Sequence, residues 1–281
     1  MLSPSREAWR VFRRNKAAVL GLALLCCIVL VMVVGPGLYG VKPFDIKGTP
    51  FTEPFIDRNL WLGTDYLGRD ILAGMLVGGR ATLLVGLTAA CITVLIGITV
   101  GALAGYFGGW IDSLLSRLTE LVQVLPTLPF AMVILTLFQP SLGVVVVAIG
   151  MLLWTGTARL ARAEFLRLRH LEYVSAARAM GARHWRLMLR EILPNALPPL
   201  IVSATLIIGV AILFEGGLSY LGLSDPNVMS WGLMIGSNRR HVLECWWAVT
   251  FPGAAIFLLV LSVSLVGDGL NDALNPKLHL R

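Results

Sequence analysis

The chain has 281 residues, 57% of them hydrophobic and only 14% charged, with a mean hydropathy of +0.79. A water-soluble domain carries about a quarter charged residues, so this composition excludes an ordinary soluble fold. The formal net charge is +7, but the basic residues stand beside apolar runs, as topology determinants do, which excludes nucleic-acid binding as the meaning of that charge.

Apolar runs of roughly 17 to 25 residues read as membrane spans. They predict six, at 17–38, 81–106, 118–139, 142–160, 198–219 and 248–268. Residues 1–16 form a basic segment with Arg6, Arg10, Arg13, Arg14 and Lys16. The run that follows reaches about Val34, longer than a signal-peptide core and without a small-residue cleavage site, so it predicts an uncleaved first span.

Residues 39–80 form a long connection in which Asp45, Glu53, Asp57, Asp65 and Asp70 offset the cations, so the loop can be translocated. Gly63 and Gly68 flank Thr64-Asp65, a turn-forming composition. An interfacial helix is predicted over 64–80, capped by Thr64 or Asp65.

In the third predicted span, Pro126 and Pro129 interrupt the helix, which is tolerable where neighbours or a water-filled path satisfy the freed carbonyls. That makes it a candidate pore helix. Gln139-Pro140-Ser141 joins it to the fourth span. Intramembrane charges flag function, and Glu120, Glu215 and Asp268 lie in or at the edges of spans. Glu120, Pro126, Pro129 and Glu215 are the pore candidates.

The four histidines fall outside the spans, and neither they nor Cys26, Cys27, Cys91 and Cys245 have metal-ligand spacing. No phosphate-binding loop or nucleophile elbow is present. No catalytic residue is predicted, and the chain is read as a non-enzyme. Lys and Arg concentrate on one set of connecting segments, above all 159–190, which places both termini and that stretch in the cytoplasm.

Residues 172–194 predict two short helices. Ala176, Ala177 and Ala179 are small helix formers, Gly181 suits a left-handed stop, and Pro194 ends the second helix before span five. Trp185, Leu189 and Ile192 form an apolar stripe with Arg183, Arg186 and Arg190 off it. Such a helix can lie on anionic lipid or meet a protein, and the two are compatible.

Ala176-Ala177-x-x-x-Gly181, with Pro194 thirteen residues later, resembles the coupling loop of ATP-binding cassette importer permeases, with Ser175 where that motif has Glu and Glu191 where it has Ile. Three further segments resemble the peptide/nickel branch of that family: Leu62 to Asp70, Leu218 to Leu223 with Ser230-Trp231-Gly232, and Gly267 to Pro276. The resemblance covers nearly the whole chain. It implies an all-α polytopic type I importer permease in a bacterial inner membrane, with a core over 81–270 and a cytoplasmic tail at 271–281. It implies a homologous second permease, two ATPase subunits holding ATP and Mg, an extracytoplasmic binding protein, surrounding membrane lipid, and no cofactor on this chain. Glu172, Ser175, Ala176, Ala177, Ala179, Gly181, Ala182, Trp185, Leu189 and Pro194 become the ATPase-docking candidates. Asp65, Arg69, Asp70 and Trp231 become candidates for contact with the binding protein. Di- and oligopeptides are the implied cargo, with nickel or a metal chelate as the alternative. An ion-coupled secondary transporter is the reading from another class; it predicts inverted repeats and midplane charges, and neither is visible.

Overall fold

The computed structural model describes residues 4–139 and 141–274. Among the described residues, five helices are long and apolar enough to cross a membrane, or six if one bent pair counts as a span. A short helix α1 (Pro4–Arg14) leads into α2 (Lys16–Tyr39), the predicted first span. Asn15 separates them and caps α2 by accepting the Ala18 N–H at 3.1 Å.

The predicted interfacial helix and second span are one 37-residue helix, α3 (Ile71–Phe107). Its cap is Asp70, not Thr64 or Asp65: the Asp70 carboxylate accepts the N–H groups of Leu72 at 2.8 Å and Ala73 at 3.4 Å. Gly74, Gly78 and Gly79 do not break it, because each faces a neighbour that fills the missing side chain's place, Gly79 against Trp231 and Met32. Tertiary contact overrides the helix penalty of glycine there.

Farther along α3, Gly97, Gly101 and Gly105 form a stripe against α6 (Leu142–Leu168). A Cβ at Gly97 would stand 2.5 Å from Thr157 Cβ, and one at Gly105 2.6 Å from the Arg162 carbonyl. Small residues at this spacing let two backbones close on each other where lipid supplies no hydrophobic drive. Among the described residues this is the most extensive helix pairing.

The third predicted span is broken. α4 (Gly109–Val124) and α5 (Thr127–Leu137) meet at 85°. Pro126 is the residue before α5 and Pro129 lies in its first turn, where the N–H that proline lacks has no helical partner to lose. The prolines interrupt the span, as the sequence predicts, and they do so by starting a new helix after the bend. The fourth span runs past its predicted end at 160 to Leu168, and the last past 268 to Leu274. Pro140 and most of the 271–281 tail, with Pro276, lie outside the described residues.

A short helix α7 (Glu172–Ala179) precedes α8 (His184–Arg186), which passes through a π-helical turn (Leu187–Ile192) into α9 (Leu193–Tyr220). Pro194 does not end a helix, as its sequence position predicted. In the π turn the Leu193 N–H reaches back to the Met188 carbonyl, so the missing Pro194 donor is absorbed by the register shift. α10 (Trp231–Asn238) and α11 (Trp247–Leu274) complete the fold. One core joins α2, α3, α9, α10 and α11 around Ile212, Trp231, Trp247 and Leu259. A second joins α3, α5, α6 and α9. A third, with Phe165, Val174, Leu187 and Ile192, lies beneath α7.

Candidate functional site

The 172–194 segment is built from a capped helix on an apolar foot. Val174 and Ile192 are fully buried beneath it. After α7 the Gly181 N–H bonds the Arg178 carbonyl at 3.0 Å and the Ala182 N–H bonds the Ala177 carbonyl at 3.1 Å. With Gly181 at φ +83°, this is a Schellman stop, the left-handed end that the sequence predicts there. Glu172, Ser175, Ala176, Ala179, Gly181, Trp185, Leu189 and Pro194 are exposed, and Ala177 and Ala182 are half-buried. A Cβ at Gly181 would meet nothing within 4 Å.

The predicted apolar stripe is divided. Ile192 turns inward with Leu187 and Met188, while Trp185 and Leu189 stay exposed. The π turn rotates the faces away from the regular helical spacing on which the stripe was based.

Three contacts that sequence reasoning missed fasten this segment to the spans. The Tyr106 hydroxyl lies 2.8 Å from His184 Nδ1. Arg169 donates to the Gly105 and Tyr106 carbonyls at 3.0 and 3.1 Å, a cation on the C-terminal carbonyls of α3. Asn195 donates to the Glu191 carbonyl at 2.7 Å and to the Tyr173 hydroxyl at 3.2 Å, tying α7 to the π turn. Nothing local in the sequence pairs Tyr106 with His184, 78 positions apart. Nearby, Arg162 grips Asp112 with two bonds of 2.5 and 2.7 Å, holding the first turn of α4 against α6.

Among the pore candidates, Glu120 is exposed and lines a cavity of about 110 Å³ with Arg159 and Arg162. Glu215 is 4% exposed and pairs helices. Its Oε1 accepts from the Ser219 and Ser230 hydroxyls at 2.7 and 2.9 Å, and the Ser230 oxygen in turn caps α10 by accepting the Leu233 N–H. Gly232 is needed at this junction, since a Cβ there would stand 2.7 Å from Ser219 Cβ. The Leu218–Leu223 and Ser230–Gly232 segments thus meet on one carboxylate.

The candidates for binding-protein contact mostly face inward, which corrects the expectation for three of them. Trp231 is 3% exposed and donates to the Met75 carbonyl at 2.9 Å. Asp70 caps α3 and accepts the Tyr39 hydroxyl at 2.5 Å. Asp65 is buried and accepts the Leu67 and Arg69 N–H groups at 2.8 Å each, and burial pushes its carboxyl above the usual carboxylate range. These residues fold the loop: Trp247 also reaches into it, donating to the Thr64 carbonyl at 3.0 Å. Of these four candidates, Arg69 keeps a buried Nε that has no hydrogen-bond partner among the described residues.

The C-terminal segment holds the N-terminus. Asn15 donates to Asp272 at 2.9 Å, and Phe12, Ala18 and Ala273 form a small buried cluster against Gly269.

The model of the family described as binding-protein-dependent transport system inner membrane component matches residues 97–280. The chain belongs to that family. A second family model, the N-terminal transmembrane domain of oligopeptide transport permease C, matches residues 3–58, so the two together cover most of the chain of this family member. A dipeptide transport system permease protein of Alkalihalophilus pseudofirmus is 37% identical over 99% of this chain and 91% of its own length. Its Bacillus subtilis namesake is 38% identical over 99% and 87%. An oligopeptide transport system permease of Haemophilus influenzae is 36% identical over 97% and 88%. In structure, the permease is similar to a chain of the inward-facing MetNI methionine ABC transporter, with TM-score 0.57 and 17% identity over 72% of this chain and 96% of that one. The all-helical type I importer permease fold expected from the sequence is the fold observed. This permease is a multi-pass component of the inner membrane.

Proposed function

We propose that the chain forms one half of a heterodimeric import pore for di- and oligopeptides, driven by ATP hydrolysed on separate subunits. One observation carries the reading: α7 and the turn that ends it present Ala176, Ala179 and Gly181 to solvent while the other face of α7 is anchored in a buried core. Small exposed residues above a fixed foot suit close docking by another protein. Peptide cargo is supported by the relatives, which are named as dipeptide and oligopeptide permeases. The bias of Lys and Arg supports an orientation with α1, α7 and both termini in the cytoplasm and the 40–70 loop outside.

In this mechanism two ATPase subunits, which hold ATP and Mg, dock on the 172–182 faces of this chain and of its homologous partner. ATPase closure displaces α7 and α8. The π turn passes that displacement to α9, and the Tyr106–His184 and Arg169 contacts pass it to α3. Because α3 and α6 are locked along the glycine stripe, they move as one body, and access alternates between the two sides. Peptide arrives on a soluble binding protein at the outer end. This chain holds no cofactor and performs no catalysis.

The test is ATP-dependent accumulation of a labelled dipeptide in proteoliposomes holding this chain, its partner permease, the ATPases and the binding protein. Accumulation that needs all of them is the expected result. Accumulation without the ATPases, driven by an ion gradient, overturns the reading.

A further inference from the structure

Between the folded 40–70 loop and α10 lies a cavity of about 230 Å³ that the mechanism above does not use. Phe44, Met229, Leu233 and Met234 give it apolar walls, and Arg69 gives it a cation. The Arg69 guanidinium lies over the Phe44 ring, 5.2 Å from its centroid. Among the described residues its buried Nε has no hydrogen-bond partner, and no ion pair includes it. Asp65 lines the same cavity: its Oδ1 accepts the backbone N–H groups of Leu67 and Arg69, and its carboxylate attracts the Arg69 guanidinium from beyond ion-pair distance, without a direct bond to it.

A guanidinium is a rigid fork of donors matched to a carboxylate, and a buried donor left unused is costly. The cavity falls below the about 300 Å³ at which drug-sized pockets begin, so it suits one residue's end and not a whole peptide. We propose that it receives the C-terminal residue of a peptide, Arg69 pairing the carboxylate while Phe44, Leu233 and Met234 enclose the side chain. The proposal rests on the peptide-import reading and adds to it a specificity residue in the permease itself.

The test uses the assembled permease–ATPase complex purified without the binding protein, so that only the membrane subunits can choose. Retention of labelled alanyl-leucine and of its C-terminal amide is compared at millimolar concentration for wild type, Arg69→Met and Arg69→Lys. A charge-assisted pair predicts at least about a tenfold preference of wild type for the free acid. Arg69→Met should lose that preference, and Arg69→Lys should keep part of it. Equal retention of acid and amide by wild type, no retention of either, or an unchanged preference in Arg69→Met overturns the site. So does an equal loss of both peptides in Arg69→Met, which would point to a carboxylate supplied by a protein partner. If Arg69→Met does not assemble, Leu233→Trp decides. It should exclude alanyl-leucine while retaining alanyl-glycine, and wild-type retention of both overturns the proposal. Dipeptide accumulation by the complete wild-type importer separates the two failures: with accumulation intact, only the Arg69 site is wrong.

Discussion

The Tyr106 hydroxyl stands 2.8 Å from His184 Nδ1, so the last turn of α3 is bonded to the first residue of the helix that becomes α9. This contact and the Arg169 bonds to the same turn make the α7–α8 segment part of the span framework. Removing it should loosen the segment without unfolding the chain. In Tyr106→Phe, amide exchange over residues 182–187 should rise about fivefold, the equivalent of about 1 kcal/mol for one hydrogen bond. His184→Ala should do the same, and the double variant should add little to either single change. Additive effects in that cycle would show that the two side chains act separately.

The glycine stripe on α3 should tolerate no side chain. Gly101→Leu would drive a Cβ into the Ala158 carbonyl and the Arg162 backbone nitrogen, which cannot yield. Overpacking of this kind costs about 3 kcal/mol or more. Size-exclusion profiles of detergent-solubilised protein should show loss of the monodisperse species. Gly156→Leu, where a Cβ meets nothing within 4 Å, should behave as wild type.

Asp65 offers a pH test of the loop. Burial raises its carboxyl above the usual range, so the folded-state value exceeds the unfolded one. Its contribution to stability is then fully present below the ordinary carboxylate value of about 4 and is lost as pH rises through the folded value. Asp65→Asn keeps an oxygen for the Leu67 and Arg69 N–H groups and removes the charge, so its thermal midpoint at neutral pH should equal or exceed wild type. Asp65→Ala should fall below both by the equivalent of about 1–2 kcal/mol, having lost the acceptor. Equal midpoints for Asn and Ala variants would remove Asp65 from the loop's framework.

Glu215 joins α9 to α10 through two serines. Glu215→Ala should cost about 2 kcal/mol, because both hydroxyls lose their acceptor, while Glu215→Gln keeps one oxygen in place. Thermal unfolding in detergent reads the difference. If the Gln and Ala variants melt together, the hydroxyl bonds do not stabilise the junction.

What the sequence made legible depended on how local the cause was. Gly181 was readable because a left-handed stop after a small-residue helix is decided within a few residues. Most span positions were readable because apolar runs are long. The interruption at Pro126 and Pro129 was readable, because proline breaks a helix locally, but the 85° bend was not, because α4 and α5 lie against α3 and α6, far away in sequence. Pro194 was misread for a related reason: a π turn absorbs it, and no periodicity announces a π turn. Trp231 looked like a surface residue of an outer segment, yet its neighbours are Gly79, Met75 and Thr82, more than a hundred positions away in sequence. Long-range partners of that kind leave no local trace.

The proposed docking of an ATPase on the exposed face of α7 can be tested by substitution. Ala176 is exposed, mid-helix and free of any special backbone conformation, so Ala176→Trp changes that face without straining the fold. The most direct measurement is recovery of the ATPase subunits with affinity-tagged permease from intact membranes, comparing Ala176→Trp with wild type and with Gly156→Trp as a control. Ala176→Trp should lower ATPase recovery at least about tenfold, the effect of about 1.4 kcal/mol or more at an interface, with recovery of the permease itself unchanged. Wild-type recovery of the ATPases with Ala176→Trp, together with normal uptake, would contradict it.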